Sequence, residues 1–329
     1  MPPSSLISGK LGRPNWGNVM FHRRLLFVAI SVATTLITAA AAQAPGGWRN
    51  GAPMPSSRTE VAVAELGGKI YVVGGFSGER EVEIYDPAAD RWSRGATFPH
   101  EVHHAAAVGL NGKLYVIGGY VQGWTPTNAV YEYDPGSDRW RMLAPMPTSR
   151  GALGAAVLAG KIHAVSGVGA GGKNTPAHEI YDPATNVWSV RRPLPTPRDH
   201  LAVAALDGRL YAIGGRIDGS YSRNLAVNES YDPAADTWQP RAPLPTARSG
   251  IAASVLNGKI IVVGGEAPSG TFNQVEAYAP PSDTWSEYTP MPTARHGLGS
   301  AVVAGKMYVI AGGPNPGASF SAANEIFTP

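Results

Sequence analysis

The sequence predicts an all-β chain folded as a six-bladed β-propeller, in which six four-stranded antiparallel sheets close into a ring. Three observations carry this. Beyond the first 42 residues a tryptophan recurs at positions 48, 92, 140, 188, 238 and 285, in steps of 44, 48, 48, 50 and 47. A pair of small residues keeps the same period: Gly74-Gly75, Gly118-Gly119, Ser166-Gly167, Gly214-Gly215, Gly264-Gly265 and Gly312-Gly313. Nothing between them has helical periodicity, and a fixed repeat of about 20 to 50 residues marks a chain assembled from copies of one supersecondary unit.

The chain opens on a segment unlike the rest. Basic "FHRR", an apolar run from Leu25 to Ile37 and the small-residue tail "TAAAAQAP" have the layout of a secretory signal. Met20 is an alternative start, which makes 1–19 an upstream extension and 20–42 the signal peptide. Proline fits badly just after a scissile bond, so cleavage after Ala42 is favoured over Ala44, leaving 43–329 as the propeller. The expected location is periplasmic or secreted. An uncleaved anchor is the alternative, since roughly 18 apolar residues span a bilayer; after cleavage no stable membrane insertion is expected. Arg23-Arg24 leaves the twin-arginine route open.

Composition removes several function classes. The 329 residues contain no cysteine, which excludes disulfides, thiolate metal sites and thiol nucleophiles. Removing the leader's four basic residues takes the net charge from +3 to −1, and no basic run remains to neutralise phosphates. Nucleic acid is therefore not an expected partner.

Each unit reads as four short strands. In the first, "EVAVAEL", "KIYVVGG", "EVEIYD" and a strand opening "RW" are separated by "GG", a loop and "PAAD". Asn111-Gly112, Asp207-Gly208 and Asn257-Gly258 are dipeptides that accept positive φ at both centres of a type I′ hairpin, so strands one and two pair. In "YDPxxDxW", written "YDPAADRW" at 85–92 and "YDPAADTW" at 231–238, proline presets the turn and aspartate can bond nearby backbone N–H groups. Strands three and four then pair and bring Tyr85 beside Trp92. Such sheets have two apolar faces, which stacking around an axis buries. The sixth unit ends at "EIFTP" without a tryptophan, and the segment around Trp48 is expected to donate its outer strand.

The double glycine, the Tyr followed seven residues later by Trp, and "P-[ML]-P-x-x-R" before each first strand together resemble kelch repeats, in six copies from Trp48 to Pro329. Unit two has Val102 for Arg, unit three Ser166 for Gly, unit five Ala279 for Asp and unit six Phe327 for Tyr. The resemblance implies a platform that binds a protein segment or a glycan through one end of the ring. It also implies that the loops entering the first strands share that end with those following the double glycine.

Those loops supply the candidate ligand-binding residues. Arg58, Arg150, Arg198, Arg248 and Arg295 would form a ring at the channel mouth able to hold a carboxylate; the other reading is that each bonds backbone carbonyls as part of the repeat. Beside them stand His103, His104, His200 and His296. Histidine is a common metal ligand, but no pair has a helical or hairpin ligand spacing, so no metal is assigned. Trp124, outside the periodic series, with Tyr120 nearby, suggests a stacking contact for a sugar or peptide; the other reading is that it packs on its own loop. Arg216 and Tyr221 on the longest loop complete the set. "GVGAGG" at 167–172 matches a dinucleotide fingerprint, but a strand follows it where a helix is required, so it is read as a loop.

No catalytic constellation stands out, and no cofactor is expected. The leading expectation is an exported binding module. The alternative is a carbohydrate epimerase or mutarotase similar to the periplasmic kelch enzymes that act on sialic acid, with Glu60, Glu266, Arg198 and Arg248 as participants. A galactose-oxidase-like copper centre is excluded, because its tyrosine crosslink needs a cysteine.

Overall fold

The computed structural model describes residues 46–329, which fall within one compact unit, Gln43–Pro329. The leader, its start and its cleavage site lie outside the described residues. Among the described residues no helix is long and apolar enough to cross a membrane.

Six four-stranded antiparallel sheets make up the propeller. Blade 1 consists of Ala62–Leu66, Lys69–Val73, Val82–Asp86 and Arg91–Arg94, from the axis outward. Blades 2 to 5 repeat this within 106–142, 154–190, 202–240 and 252–287. Blade 6 takes Gly299–Val303, Lys306–Ile310 and Asn324–Thr328 from the end of the chain and Gly47–Asn50 from its beginning, with Trp48 opposite Phe327. The hairpin turns between first and second strands have positive φ at both centres, including Ala159-Gly160 and Ala304-Gly305, where the usual Asn or Asp is missing.

The repeated octapeptide is a clamp between neighbouring blades. Tyr85 pairs across the strands with Trp92, and its hydroxyl donates to Asp90 at 2.5 Å. Asp90 also accepts the N–H of Ala52, whose carbonyl accepts the Trp92 indole N–H at 2.8 Å. Tyr231, Asp236 and Trp238 hold Arg192 in the same way. A corner of this kind, with Asn186 in place of the aspartate in blade 3, thus ties each of blades 1 to 5 to the segment leaving the preceding one. In blade 6 Phe327 lacks the hydroxyl, and Trp48 alone donates, to Thr289 at 2.8 Å.

Near the axis space is scarce, so the inner strands carry small residues. A Cβ on Gly154 would lie 2.2 Å from the Val203 side chain, and one on Gly299 2.1 Å from Val63. Just above these strands the six blades are joined by a belt of backbone hydrogen bonds. Each N–H of Glu60, His104, Ala152, His200, Gly250 and Gly297 donates to the matching carbonyl of the adjacent blade, over 2.7 to 3.0 Å. All six residues are left-handed, with φ between 52° and 66°. The conformation costs about 1–2 kcal/mol per non-glycine residue, a cost the belt and the blade contacts offset.

Candidate functional site

Three positions per blade build the mouth of the channel: the belt residue, the residue before it, and the residue after the double glycine. The latter two meet as bridges, Thr59 with Phe76, His103 with Tyr120, Gly151 with Val168, Asp199 with Arg216, Ser249 with Glu266 and His296 with Gly313; in blade 6 the pair equivalent to the double glycine is Ala311-Gly312, one residue earlier than the sequence reading places it. Because each blade fills these positions differently, a symmetric ring carries an asymmetric site. Short hairpins after the double glycine of blades 2, 4 and 5 raise a wall above it.

The belt residues surround a constriction of about 100 Å³. Above it opens a cavity of about 520 Å³, with Phe76, Trp124, Tyr221 and Phe320 on its walls and Glu60, His104, Arg216, Glu266 and His296 at its base. Ligand sites of this size are common. Trp124 is 63% exposed. Its ring meets Phe76 at 5.7 Å and Tyr120 at 5.1 Å, so it both packs on its loop and presents a face to the cavity. Arg216 lies 5.8 Å from the Tyr221 ring.

The base is a network with assignable protons. The Gly123 carbonyl only accepts, so at 2.6 Å it takes the Nε2–H of His103. His103 Nδ1 then accepts from His104 Nδ1–H at 2.6 Å, which leaves His104 Nε2 facing a Glu60 oxygen at 3.3 Å. Burial, joined by nearby His200 and His103, pushes the His104 imidazole well below its ordinary value. Asp199 takes the Nδ1–H of His200 at 2.6 Å, and His200 Nε2 accepts from Arg216 Nη2 at 2.8 Å. Burial alone would raise the Asp199 carboxyl; the hydrogen bond from His200, with those from Asn174 and the Gly219 N–H, holds it at about 2. Arg216 also donates to Asp199 at 3.1 Å and to Glu266 at 2.6 Å. Two trios, Glu60 with His104 and His200, and Glu60 with Glu266 and His296, each bring three potential metal-ligand atoms within 4.8 Å of one another.

The structure places the sequence-derived candidates in two groups. His103, His104, Tyr120, Trp124, His200, Arg216, Tyr221 and His296 come together at the mouth. The five repeat arginines do not. Arg58, Arg150, Arg198, Arg248 and Arg295 are fully buried inside the blades, paired with Glu83, Glu179, Glu229, Glu276 and Glu325. Each also donates to backbone carbonyls, as Arg198 does to Gly214, Thr196 and Ala212 at 2.7 Å. The guanidiniums are buried away from the mouth, with Arg58 Nε and Arg150 Nε alone among their nitrogens lacking a partner, which corrects the expected mouth ring and takes Arg198 and Arg248 out of the sugar-enzyme set. The reason is chain direction: the side chain turns back beneath the double glycine of its own blade. His100, three residues before His103, packs instead on Phe98 and Tyr131. The segment 167–172 is a loop with a single three-residue 3₁₀ turn, followed by the strand His178–Asp182.

Phe76 and Phe320 were not singled out from the sequence. Phe76 carried a usable signal, since it directly follows a double glycine like Tyr120, Arg216 and Glu266. Phe320 sits in an irregular loop and carried none.

Comparison with known proteins agrees with this architecture. The KLHDC2/KLHL20/DRC7 kelch-repeats domain matches residues 47–215 and 181–325. No curated protein sequence matches at a significant level. Among solved structures, "Structure of YjhT" superposes with a TM-score of 0.75 at 18% identity, covering 84% of this chain and 95% of that one. At that identity the likeness concerns the fold.

Proposed function

Given that this chain belongs to the kelch-repeat family of β-propellers, we propose that it is an exported binding module that takes a glycan unit into the aromatic-walled mouth. The observation that carries this is the pairing of two unlike surfaces in one cavity of about 520 Å³. Aromatic faces such as Trp124 and Phe76 suit the C–H faces of a pyranose. The base offers hydroxyl-sized donors and acceptors at fixed positions, and Arg216 is the guanidinium nearest an incoming carboxylate. A protein segment inserting an acidic side chain is the other occupant of the same class. The leader would deliver the module to the periplasm or outside the cell.

A second reading rests on the proton chain Gly123–His103–His104–Glu60. It aims one imidazole nitrogen at a carboxylate on the cavity base, and such a pair can move a proton during ring opening of an acidic sugar. A mutarotase or epimerase would use it.

Saturation-transfer NMR with a panel of neutral and acidic monosaccharides tests the first reading. Binding lost in Trp124→Ala with an unchanged melting temperature supports it; no binding across sugars and acidic peptides refutes it. Following a freshly dissolved anomer in the same tubes tests the second. Acceleration abolished by Glu60→Gln supports catalysis, and no acceleration removes it.

A further inference from the structure

We propose that the base of the mouth is a divalent transition-metal site formed by Glu60, Glu266 and His296. The proposal goes beyond glycan binding and would hold without it.

His296 is 1% exposed, and its Nδ1–H donates to the Gly313 carbonyl at 3.1 Å. That bond leaves Nε2 pointing inward, where its neighbours are Glu60 Oε1 at 3.7 Å and Glu266 Oε2 at 3.6 Å. Two carboxylate oxygens and an imidazole nitrogen converge, and a metal ion would bind Nε2 through its lone pair, in place of any proton shared with the carboxylates. Metal–ligand bonds of about 2.0–2.2 Å place adjacent ligand atoms about 3 to 3.5 Å apart, so the two imidazole–carboxylate spacings need only a small contraction around an ion, and the two carboxylate oxygens, within 4.8 Å of each other, close by side-chain rotation.

The groups behind the ligands are also in place. Arg216 Nη1 donates to Glu266 Oε1 at 2.6 Å and the Gly317 N–H to Oε2 at 2.9 Å, which fixes the carboxylate plane. Gly313 orients His296, as a carbonyl commonly does behind a metal-bound histidine.

Charge points the same way. Glu60, Glu266 and Asp199 bring three carboxylates to the base, where Arg216 pairs with Asp199 and Glu266. A divalent cation would offset the excess of carboxylate charge, and buried charge without a partner is costly.

Oxygen-rich ligation with one imidazole suits Mn²⁺, Fe²⁺ or Zn²⁺, and three protein ligands leave positions open toward the cavity. The sequence hid the site because its ligands come from blades 1, 5 and 6 and meet only at the axis.

The test uses untagged full chain, stripped with chelator, checked by circular dichroism and titrated calorimetrically with Zn²⁺ and Mn²⁺ in the absence of sugar. Co²⁺ is added in parallel to read ligand-field bands. The expected result is one ion per chain. Glu60→Gln and His296→Gln should each weaken it by more than the roughly 10–100-fold typical of losing an outer partner. Trp124→Ala should bind metal normally, so failure of the glycan reading and failure of this one are separable. No stoichiometric binding of any of the three ions overturns the proposal, as does binding that survives both ligand substitutions. If a variant misfolds, the Co²⁺ bands of the parent decide: bands without a nitrogen ligand also refute it.

Discussion

Replacing Arg198 with methionine separates a binding arginine from a structural one. The guanidinium is fully buried and donates four hydrogen bonds, three to carbonyls at 2.7 Å and one to Glu229 Oε2 at 2.6 Å. Its removal leaves Glu229 a buried carboxylate with only Thr196 Oγ1 at 2.9 Å as a remaining partner. Breaking such a pair costs about 3–5 kcal/mol. Losing its donations to the Gly214, Thr196 and Ala212 carbonyls adds about 2 kcal/mol in all. Arg198→Met should therefore lose about 5–7 kcal/mol, a large part of the roughly 5–15 kcal/mol that holds a typical domain together.

The chain contains its own control for this reasoning. Blade 2 lacks both members of the pair: Val102 stands for the arginine and Tyr131 for the glutamate, and the two share an apolar cluster with Phe98. Charge is absent there as a pair, never singly. The double variant Arg198→Met/Glu229→Leu should thus be more stable than Arg198→Met alone, with a coupling of about 2–3 kcal/mol. Urea unfolding followed by tryptophan fluorescence, closed as a double-mutant cycle, measures it. A loss below about 1 kcal/mol for Arg198→Met, or strict additivity in the cycle, would refute the structural assignment.

Three further outcomes follow from particular contacts. Gly297→Ala puts a methyl 2.5 Å from Glu60 Oε1 and Thr59 Oγ1 at φ +58°; it should cost about 1–2 kcal/mol in urea unfolding and displace Glu60, and a neutral result would mean the belt is loose. Trp48→Ala removes the indole bond to Thr289 and the 5.1 Å contact with Phe327, so blade 6 amides next to Asn324–Thr328 should exchange faster than those of blade 3; uniform exchange would argue that closure does not depend on Trp48. The buried pair His163 and His178, linked at 2.9 Å, is held by burial at about 3 and about 4, below the ordinary 6.5. Between those values and 6.5 the unfolded chain binds protons the folded one does not, so stability is whole above 6.5 and falls with acidification, by about 1.4 kcal/mol per pH unit for each histidine. Urea midpoints from pH 7 to pH 5 should drop in the parent and drop less in His163→Gln; parallel curves would count against the assignment.

The ring was legible because its determinants recur. Trp, the double glycine and the Asn-Gly or Asp-Gly turns report local requirements, an indole donor for the neighbouring segment and positive φ at fixed positions, and six copies average out departures such as Phe327 and Ser166. The mouth obeys the opposite rule. A group used to build every blade appears in almost every copy, as Arg198 and its counterparts do, and this regularity is itself the mark of a structural part. A group that makes an asymmetric site must differ between copies. The belt position reads Glu60, His104, Ala152, His200, Gly250 and Gly297, and the position after the double glycine reads Phe76, Tyr120, Val168, Arg216, Glu266 and Gly313. Aligning the six units and looking for the columns where they disagree therefore finds Glu60, His104, Arg216 and Glu266 together, and brings Phe76 with them. What it cannot give is which of these meet across the axis, since that depends on how each side chain leaves a left-handed backbone residue whose neighbours lie in other blades.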